Sequence, residues 1–395
     1  MSGKNGLTDV IIIGGGVIGT AIAFYLTRNG AKVILLEKEH LASGSSGACD
    51  GTIFLQTKKP GLHLQLALES SKRFPRLKEE LPVDIEYRQA GGLVIIETEA
   101  EYRAMQSYTE EQRKIGLDVS LLAGRELREL EPRLAENILG VAYSPWDGQV
   151  NPMALTLGYG LAARKMGADI RPGTGVTGLE VKGNRIQAVN TSQGRFEADF
   201  VVNAAGVHAP EIAKMVDINV PITPRRGQLL VTEAAAVSFP RVLLSAKYVA
   251  VKFNPDLAKT AGEGLTIEQT ANGNFLLGST REFVGFDKRT TMEKLHLIAK
   301  NTSRVLPCLR ELNAIRAFAG LRPYTPDGYP ILGPVAGLEN FIMAAGHEGD
   351  GIALSPITGE LIAQYITNGR TEIPLSDFRL ERFDRPPADS GKNNG

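Results

Sequence analysis

Apolar and polar positions fall into blocks along this chain. A buried strand at 9–13 (DVIII), apolar over 10–13, is followed by a helix-like stretch at 17–28 that stops at Asn29-Gly30, and then by a second strand at 31–37 (AKVILLE), apolar over 33–36. Strand, helix and strand within about 30 residues make a βαβ unit. Such a unit requires a parallel sheet covered on both faces. Residues 60–81 read as one helix burying Leu62, Leu66, Phe74 and Leu77, with Pro75 as a tolerated kink.

The pattern then changes. Strands at 84–88 and 92–98 (GLVIIET) and charged helices at 99–115 and 124–130 predict a separate layer. A helix at 152–166, a strand at 168–171 and a strand-rich run over 178–200 return to the first layer, where 201–206 (VVNAAG) is a buried strand ending in a small-residue turn. Short strands over 221–281, including 227–232 and 275–278, and a helix at 292–305 add to the second layer. The chain closes with a turn-rich segment at 321–334, a strand at 341–345 and a helix at 352–367. The polar tail 386–395 has the composition of a disordered segment.

Composition narrows the classes. At 395 residues the chain fits two to three domain equivalents, and 44 basic residues balance 44 acidic ones, so neither nucleic acid nor an anionic membrane is an expected partner. No apolar run is long enough for a membrane span. The two cysteines, Cys49 and Cys308, are far apart, which argues against a disulfide framework, a zinc site or an iron–sulfur cluster and fits a reducing cytoplasm. No metal site is expected. Glycine is the outlier, at 43 residues.

Several of those glycines carry chemistry. Gly14, Gly16 and Gly19 form G-x-G-x-x-G between a predicted strand and a predicted helix. Their roles are a tight turn, close approach of a pyrophosphate, and close helix–strand packing. The helix start offers unpaired N–H groups to phosphates. Glu37 ends the next strand about 20 residues on, where a carboxylate accepts from both ribose hydroxyls and repels a 2′-phosphate. The motif disfavours NADP but leaves FAD and NAD open. Two patches point to FAD. The segment 43–47 (SGSSG) brings hydroxyls towards the pyrophosphate, and 346–351 (GHEGDG) opens the last helix, whose N-terminus would stabilise a reduced flavin.

Taken together, DVIIIGGGVIG with Glu37, SGSSGACDG, 147–152 (DGQVNP), VVNAAG, 224–228 (PRRGQ), 320–328 (GLRPYTPDG) and 344–363 resemble the D-amino-acid-oxidase-like family of FAD-dependent amine and amino-acid oxidoreductases, which includes glycine oxidase and sarcosine oxidase. The resemblance spans residues 9 to about 383. It implies an α/β fold: a Rossmann-type FAD domain with a parallel sheet (1–83, 142–221, 315–385) and an α+β substrate domain with a mostly antiparallel sheet (84–141, 222–314). It further implies that Ser45, Ser46, Asp50, Gly51 and Thr52 bind FAD, that Val176 lies on the adenine side, and that His347, Glu348, Gly349, Asp350 and Gly351 border the isoalloxazine ring. Arg322, in GLRP, matches the arginine that grips the substrate carboxylate, a role that suits a two-pronged guanidinium.

Departures from the family pattern modify these expectations. Gly349 stands where glycine oxidase has a second arginine, so the substrate pocket should differ and admit a larger or cyclic amino acid. Gly320 stands where sarcosine oxidase has its flavin-linking cysteine, so FAD should be non-covalent. Leu276 stands at that enzyme's oxygen-activating lysine, which weakens an oxidase reading without excluding it, because glycine oxidase also lacks lysine there. The resemblance to catalytic subunits of proline or hydroxyproline dehydrogenase, opine oxidase and hydrogen cyanide synthase implies an electron-accepting partner subunit and a small amino- or imino-acid substrate. The alternatives are a self-sufficient oxidase producing hydrogen peroxide and, behind it, a non-catalytic flavin-binding assembly subunit. A nicotinamide-dependent dehydrogenase is opposed by the SGSSG and HEGDG patches. His347 is the first candidate for acid–base work and His208 the second. Tyr248 and Tyr324 are candidate pocket walls, Cys49 adjoins the flavin patch, and Lys58 and Lys59 are expected to be solvated.

Overall fold

The structure, a computed structural model, describes residues 8–247 and 264–384. Tyr248 and the tail at 386–395 lie outside the described residues. A six-stranded sheet runs in the order Ile331–Pro334, Phe341–Ala345, Ala198–Asn203, Thr8–Ile13, Val33–Leu36, Asp169–Arg171. Its pairings are parallel except for the first. Val10, Ile11 and Ile12 are fully buried, because helices cover one face of this strand and a small antiparallel sheet, Val176–Lys182 with Arg185–Thr191 and Gly194–Phe196, covers the other. That is why the strand reads as a continuous apolar run. Helix Val17–Arg28 packs against Pro152–Lys165 and against the final helix, Gly351–Asn368. A Cβ at Gly359 would stand 2.9 Å from the Ala21 carbonyl carbon, so the close crossing needs glycine there.

The second sheet has eight strands, in the order Ala314–Tyr324, Thr223–Ala234, Asn274–Gly278, Thr266–Gln269, Val242–Ser245, Gly92–Ile96, Gly140–Ser144, Ser120–Ala123. It is antiparallel apart from the pairing of Val242–Ser245 with Gly92–Ile96. Helix Met292–Val305 closes its outer face through Ile298 and Val305, against Phe239 and Phe275.

Several expectations change in the structure. The single helix over 60–81 is two, Leu62–Ser71 and Phe74–Glu80. Pro75 begins the second helix, where its missing N–H costs nothing, instead of kinking the first. The strand at 84–88 reduces to a bridge between Arg88 and Gln149. Segment 321–334 is not all turn, since GLRP lies inside Ala314–Tyr324, which pairs along its length with Thr223–Ala234. That strand, like Gly140–Ser144, belongs to the eight-stranded sheet, so the boundaries expected at 315 and 142 fall inside strands of the other layer.

Candidate functional site

One cleft runs from the start of helix Val17–Arg28, beneath the eight-stranded sheet, to the start of the final helix. At its first end Gly14 has φ +116°, and a Cβ there would lie 2.5 Å from the Ala204 carbonyl oxygen. Gly16 lines the cleft. Gly19 lies behind it, where a Cβ would collide with the Gly14 carbonyl. The Glu37 carboxylate is oriented by two backbone donors, Gly15 N–H to Oε2 (2.7 Å) and Glu39 N–H to Oε1 (2.9 Å). It faces the cleft together with Val176.

The SGSSG loop does more than offer hydroxyls. Ser46 Oγ accepts from Val17 N–H at 2.9 Å and so supplies, from 29 residues away, the cap that Gly16 cannot give the helix. Ser45 Oγ donates to the Leu321 carbonyl, tying the loop to the GLRP strand. Asp50 and Thr52 line the cleft, and Thr52 Oγ1 donates to Asp50 Oδ1 at 2.8 Å. Gly51 sits behind them, its N–H donating to Glu268 Oε2 at 2.7 Å. Burial, reinforced by Asp50, pushes the Glu268 carboxyl up to about 8. Cys49 lines the cleft as a thiol, its pKa raised by burial first and then by Asp50 and Glu268. A Cβ at Gly320 would overlap the Ala48 carbonyl, so no cysteine side chain fits at the position that links flavin in sarcosine oxidase.

At the other end Arg322 and Arg225 are directly paired across neighbouring strands, so both project from one face of the sheet. Arg322 is a cleft residue and not a surface arginine. Its guanidinium donates to Thr280 O (3.0 Å) and Ser279 Oγ (2.7 Å) and lies over Gly227, where a Cβ would stand 2.6 Å from Nη2. Thr280 is itself anchored, its Oγ1 accepting from Gln228 N–H at 3.0 Å. Glu282 accepts from Thr280 Oγ1 (2.7 Å) and from Arg226 (2.9 Å). Burial alone would raise the Glu282 carboxyl, but these bonds and one from Gln228 bring it down to about 2. Arg225 pairs with Glu348 and stacks over Tyr324 at 4.5 Å, so Tyr324 supports an ion pair instead of forming cleft wall.

The final helix opens with His347, Glu348, Gly349, Asp350 and Gly351, all on the cleft. His347 does not suit the expected acid–base role. Its Nε2 lies 3.0 Å from Thr358 Oγ1, and burial, outweighing nearby Asp350, holds its pKa down to about 3. It is a neutral wall residue at physiological pH. His208 stands at the cleft mouth, partly exposed, beside Glu211 (3.0 Å) and Lys38 (3.1 Å) and stacked on Phe286.

Sequence reasoning missed a charged cluster here. Lys58, expected to be solvated, is buried on the cleft wall, with Nζ 2.8 Å from Asp350 Oδ1, while His63 Nε2 is 3.1 Å from Oδ2. Lys59 is tethered too, donating to the Asp327 carbonyl at 3.3 Å. No local pattern announces either contact.

Glycines that leave room for a pyrophosphate, an oriented carboxylate for a ribose and a long cleft ending at a helix N-terminus fit FAD. The fold and site define a flavin-dependent oxidoreductase with a long cleft between its two larger sheets. The chain belongs to the DAO family of FAD dependent oxidoreductases, whose pattern matches residues 9–365. It is 30% identical to hydrogen cyanide synthase subunit HcnC of Pseudomonas protegens, covering 96% of this chain and 97% of that protein. It is 31% identical to glycine oxidase of Geobacillus kaustophilus, covering 95% and 97%. Among solved structures, L-proline dehydrogenase from P. horikoshii superposes with a TM-score of 0.88 at 26% identity, covering 96% of this chain and 98% of that one. The chain is an FAD-dependent oxidoreductase that oxidises the C–N bond of amino acids. Among the described residues no helix is long and apolar enough to cross a membrane.

Proposed function

We propose that this chain is the catalytic component of a cytoplasmic amino- or imino-acid dehydrogenase that binds FAD non-covalently and passes electrons to a partner subunit. In this reading the division of labour follows the two sheets, with the six-stranded one holding FAD and the eight-stranded one the substrate. The observation that carries it is the Arg322 guanidinium, set on the cleft by Gly227 and steered by Ser279 and Thr280. A fork held in this way suits a substrate carboxylate, which it would orient for reaction. Bound FAD supplies hydride acceptance at N5, so no protein nucleophile is needed. Gly14, Gly16, Ser45, Ser46 and Glu37 would hold the dinucleotide. Gly19, Asp50, Gly51, Thr52 and Val176 would shape its bed, and residues 347–351 would border the ring. His347 would close the wall as a neutral side chain, excluding water instead of moving protons.

The dehydrogenase reading is supported by Leu276 in place of an oxygen-activating lysine and by likeness to a protein named as a synthase subunit. Gly349 in place of a second arginine supports a bulkier or cyclic substrate. A second reading, a peroxide-forming oxidase, is favoured by the similarity to glycine oxidase. The test is anaerobic and aerobic turnover of proline, hydroxyproline, glycine and sarcosine by the FAD-loaded chain. Faster reduction of an artificial dye than of dioxygen is expected. Stoichiometric peroxide at equal speed would establish the oxidase instead.

A further inference from the structure

Lys58 is among the largest fully buried side chains of the described residues, and a lysine is buried at this cost only with partners. Its ammonium donates to Phe54 O (2.8 Å), Thr57 Oγ1 (3.0 Å) and Asp350 Oδ1 (2.8 Å). Three protons meet three acceptors, so the group is spoken for as neither base nor nucleophile. Asp350 immediately precedes the final helix, yet its side chain does not cap that helix and is turned to Lys58 and His63. The side chains of Lys58 and Asp350 are 2% and 6% exposed, and both residues line the cleft beside His347.

This arrangement has an electrostatic consequence. A helix N-terminus offers about half a positive charge to whatever faces it. A lone carboxylate at Asp350 would cancel that field where negative charge must gather on a reduced flavin. With neutral His347 contributing nothing, the sign of the local field depends on the charge that opposes Asp350.

We propose that Lys58 is the counter-charge to Asp350 and thereby sets the reduction potential of the bound flavin, with His63 positioning the Asp350 carboxylate between them. The inference rests on the reading that the start of the final helix faces the flavin ring.

The experiment equilibrates FAD-loaded wild type, Lys58→Met, Asp350→Asn and the double variant anaerobically with a redox dye of known potential, reading both chromophores. Lys58→Met removes the ammonium that opposes the carboxylate, so its ratio of reduced to oxidised flavin at fixed dye potential should fall at least tenfold, about 30 mV for a two-electron couple. Asp350→Asn should raise the ratio, and the double variant should return towards wild type. A purely structural role for the pair predicts no opposite signs and no restoration. Identical ratios in all four proteins, or a double variant no closer to wild type than Lys58→Met, would overturn the proposal. Should Lys58→Met fail to retain FAD, the sign of the Asp350→Asn shift decides alone. A wild type that takes up no flavin would defeat the functional reading itself, a result distinct from flavin that binds with an unaltered potential.

Discussion

Gly227→Ala is the sharpest perturbation of the substrate site because it adds one methyl group and removes nothing. The new Cβ would stand 2.6 Å from Arg322 Nη2 and 2.7 Å from Cζ, whereas ordinary contact begins at 3.4 Å. Nη1 is closer still, so the guanidinium must retreat by about 1 Å, breaking its register with Ser279 Oγ and Thr280 O. The clashing atoms are the far end of a flexible side chain, so the strand itself survives, and the φ of Gly227 is not positive, so alanine meets no backbone strain there. A misplacement near 1 Å costs up to about 100-fold in rate when it disturbs reactant orientation. The expected outcome is a kcat/KM for amino acids lowered about 10- to 100-fold, with FAD content and Tm close to wild type. Simple amines lacking a carboxylate should lose little, since they make no use of the guanidinium. Equal losses for amines and amino acids, or no loss for either, would refute carboxylate recognition by Arg322.

Two further predictions concern the cofactor and pH. Glu37→Ala should weaken FAD binding by about 1.5–3 kcal/mol, roughly 10- to 100-fold in Kd, because it deletes a charge-assisted acceptor that Gly15 and Glu39 N–H groups orient; unchanged affinity in a fluorescence titration of the apoprotein would remove the ribose contact. Glu268 is raised from 4.5 to about 8 by burial, so the folded state holds its proton where the unfolded chain has lost it. Stability then falls as pH rises from about 4.5 to about 8, by on the order of 3–5 kcal/mol at most. Glu268→Gln keeps an acceptor for Gly51 N–H and should flatten this slope in urea unfolding, leaving a residual decline from Asp147, which burial raises to about 7. Parallel curves for variant and wild type would show that Glu268 is not the titrating group.

What the sequence discloses follows from how local each determinant is. Helices Val17–Arg28 and Met292–Val305 and strand Phe341–Ala345 have the bounds that periodicity and stop signals predict, because their patterning and termini are written within a few residues. The GLRP segment misleads for a physical reason. Pro323 reads as a turn signal, yet it lies on the edge strand of the eight-stranded sheet opposite Pro224. Two residues along from Pro224, Arg226 donates its N–H away from this strand, to the Glu282 carbonyl, so the pair sits at a non-hydrogen-bonded register where the ladder asks no N–H of either proline. The strand can therefore run through the proline and carry Arg322 to the cleft. Gly320 shows the opposite case. Comparison with sarcosine oxidase flags the missing cysteine, but only the structure gives the reason a side chain is excluded there, the Ala48 carbonyl of the SGSSGA loop.

Lys58 marks the limit of such reading. Two adjacent lysines before Pro60-Gly61 have every local mark of a solvated turn, and nothing within several residues indicates burial. Two of the acceptors of Lys58, Phe54 O and Thr57 Oγ1, are near in sequence but neutral, and neutral acceptors alone do not offset the desolvation of an ammonium group. The charge that makes burial tolerable comes from Asp350, 292 residues away, on the loop that opens the final helix. The dependence is mutual, since Asp350 without Lys58 would be a buried carboxylate beside a cleft built for anions. Neither residue can be interpreted from its own neighbourhood, and the same docking of the segment 54–58 against the final helix that fixes the fold also fixes the electrostatic field at the end of the cleft.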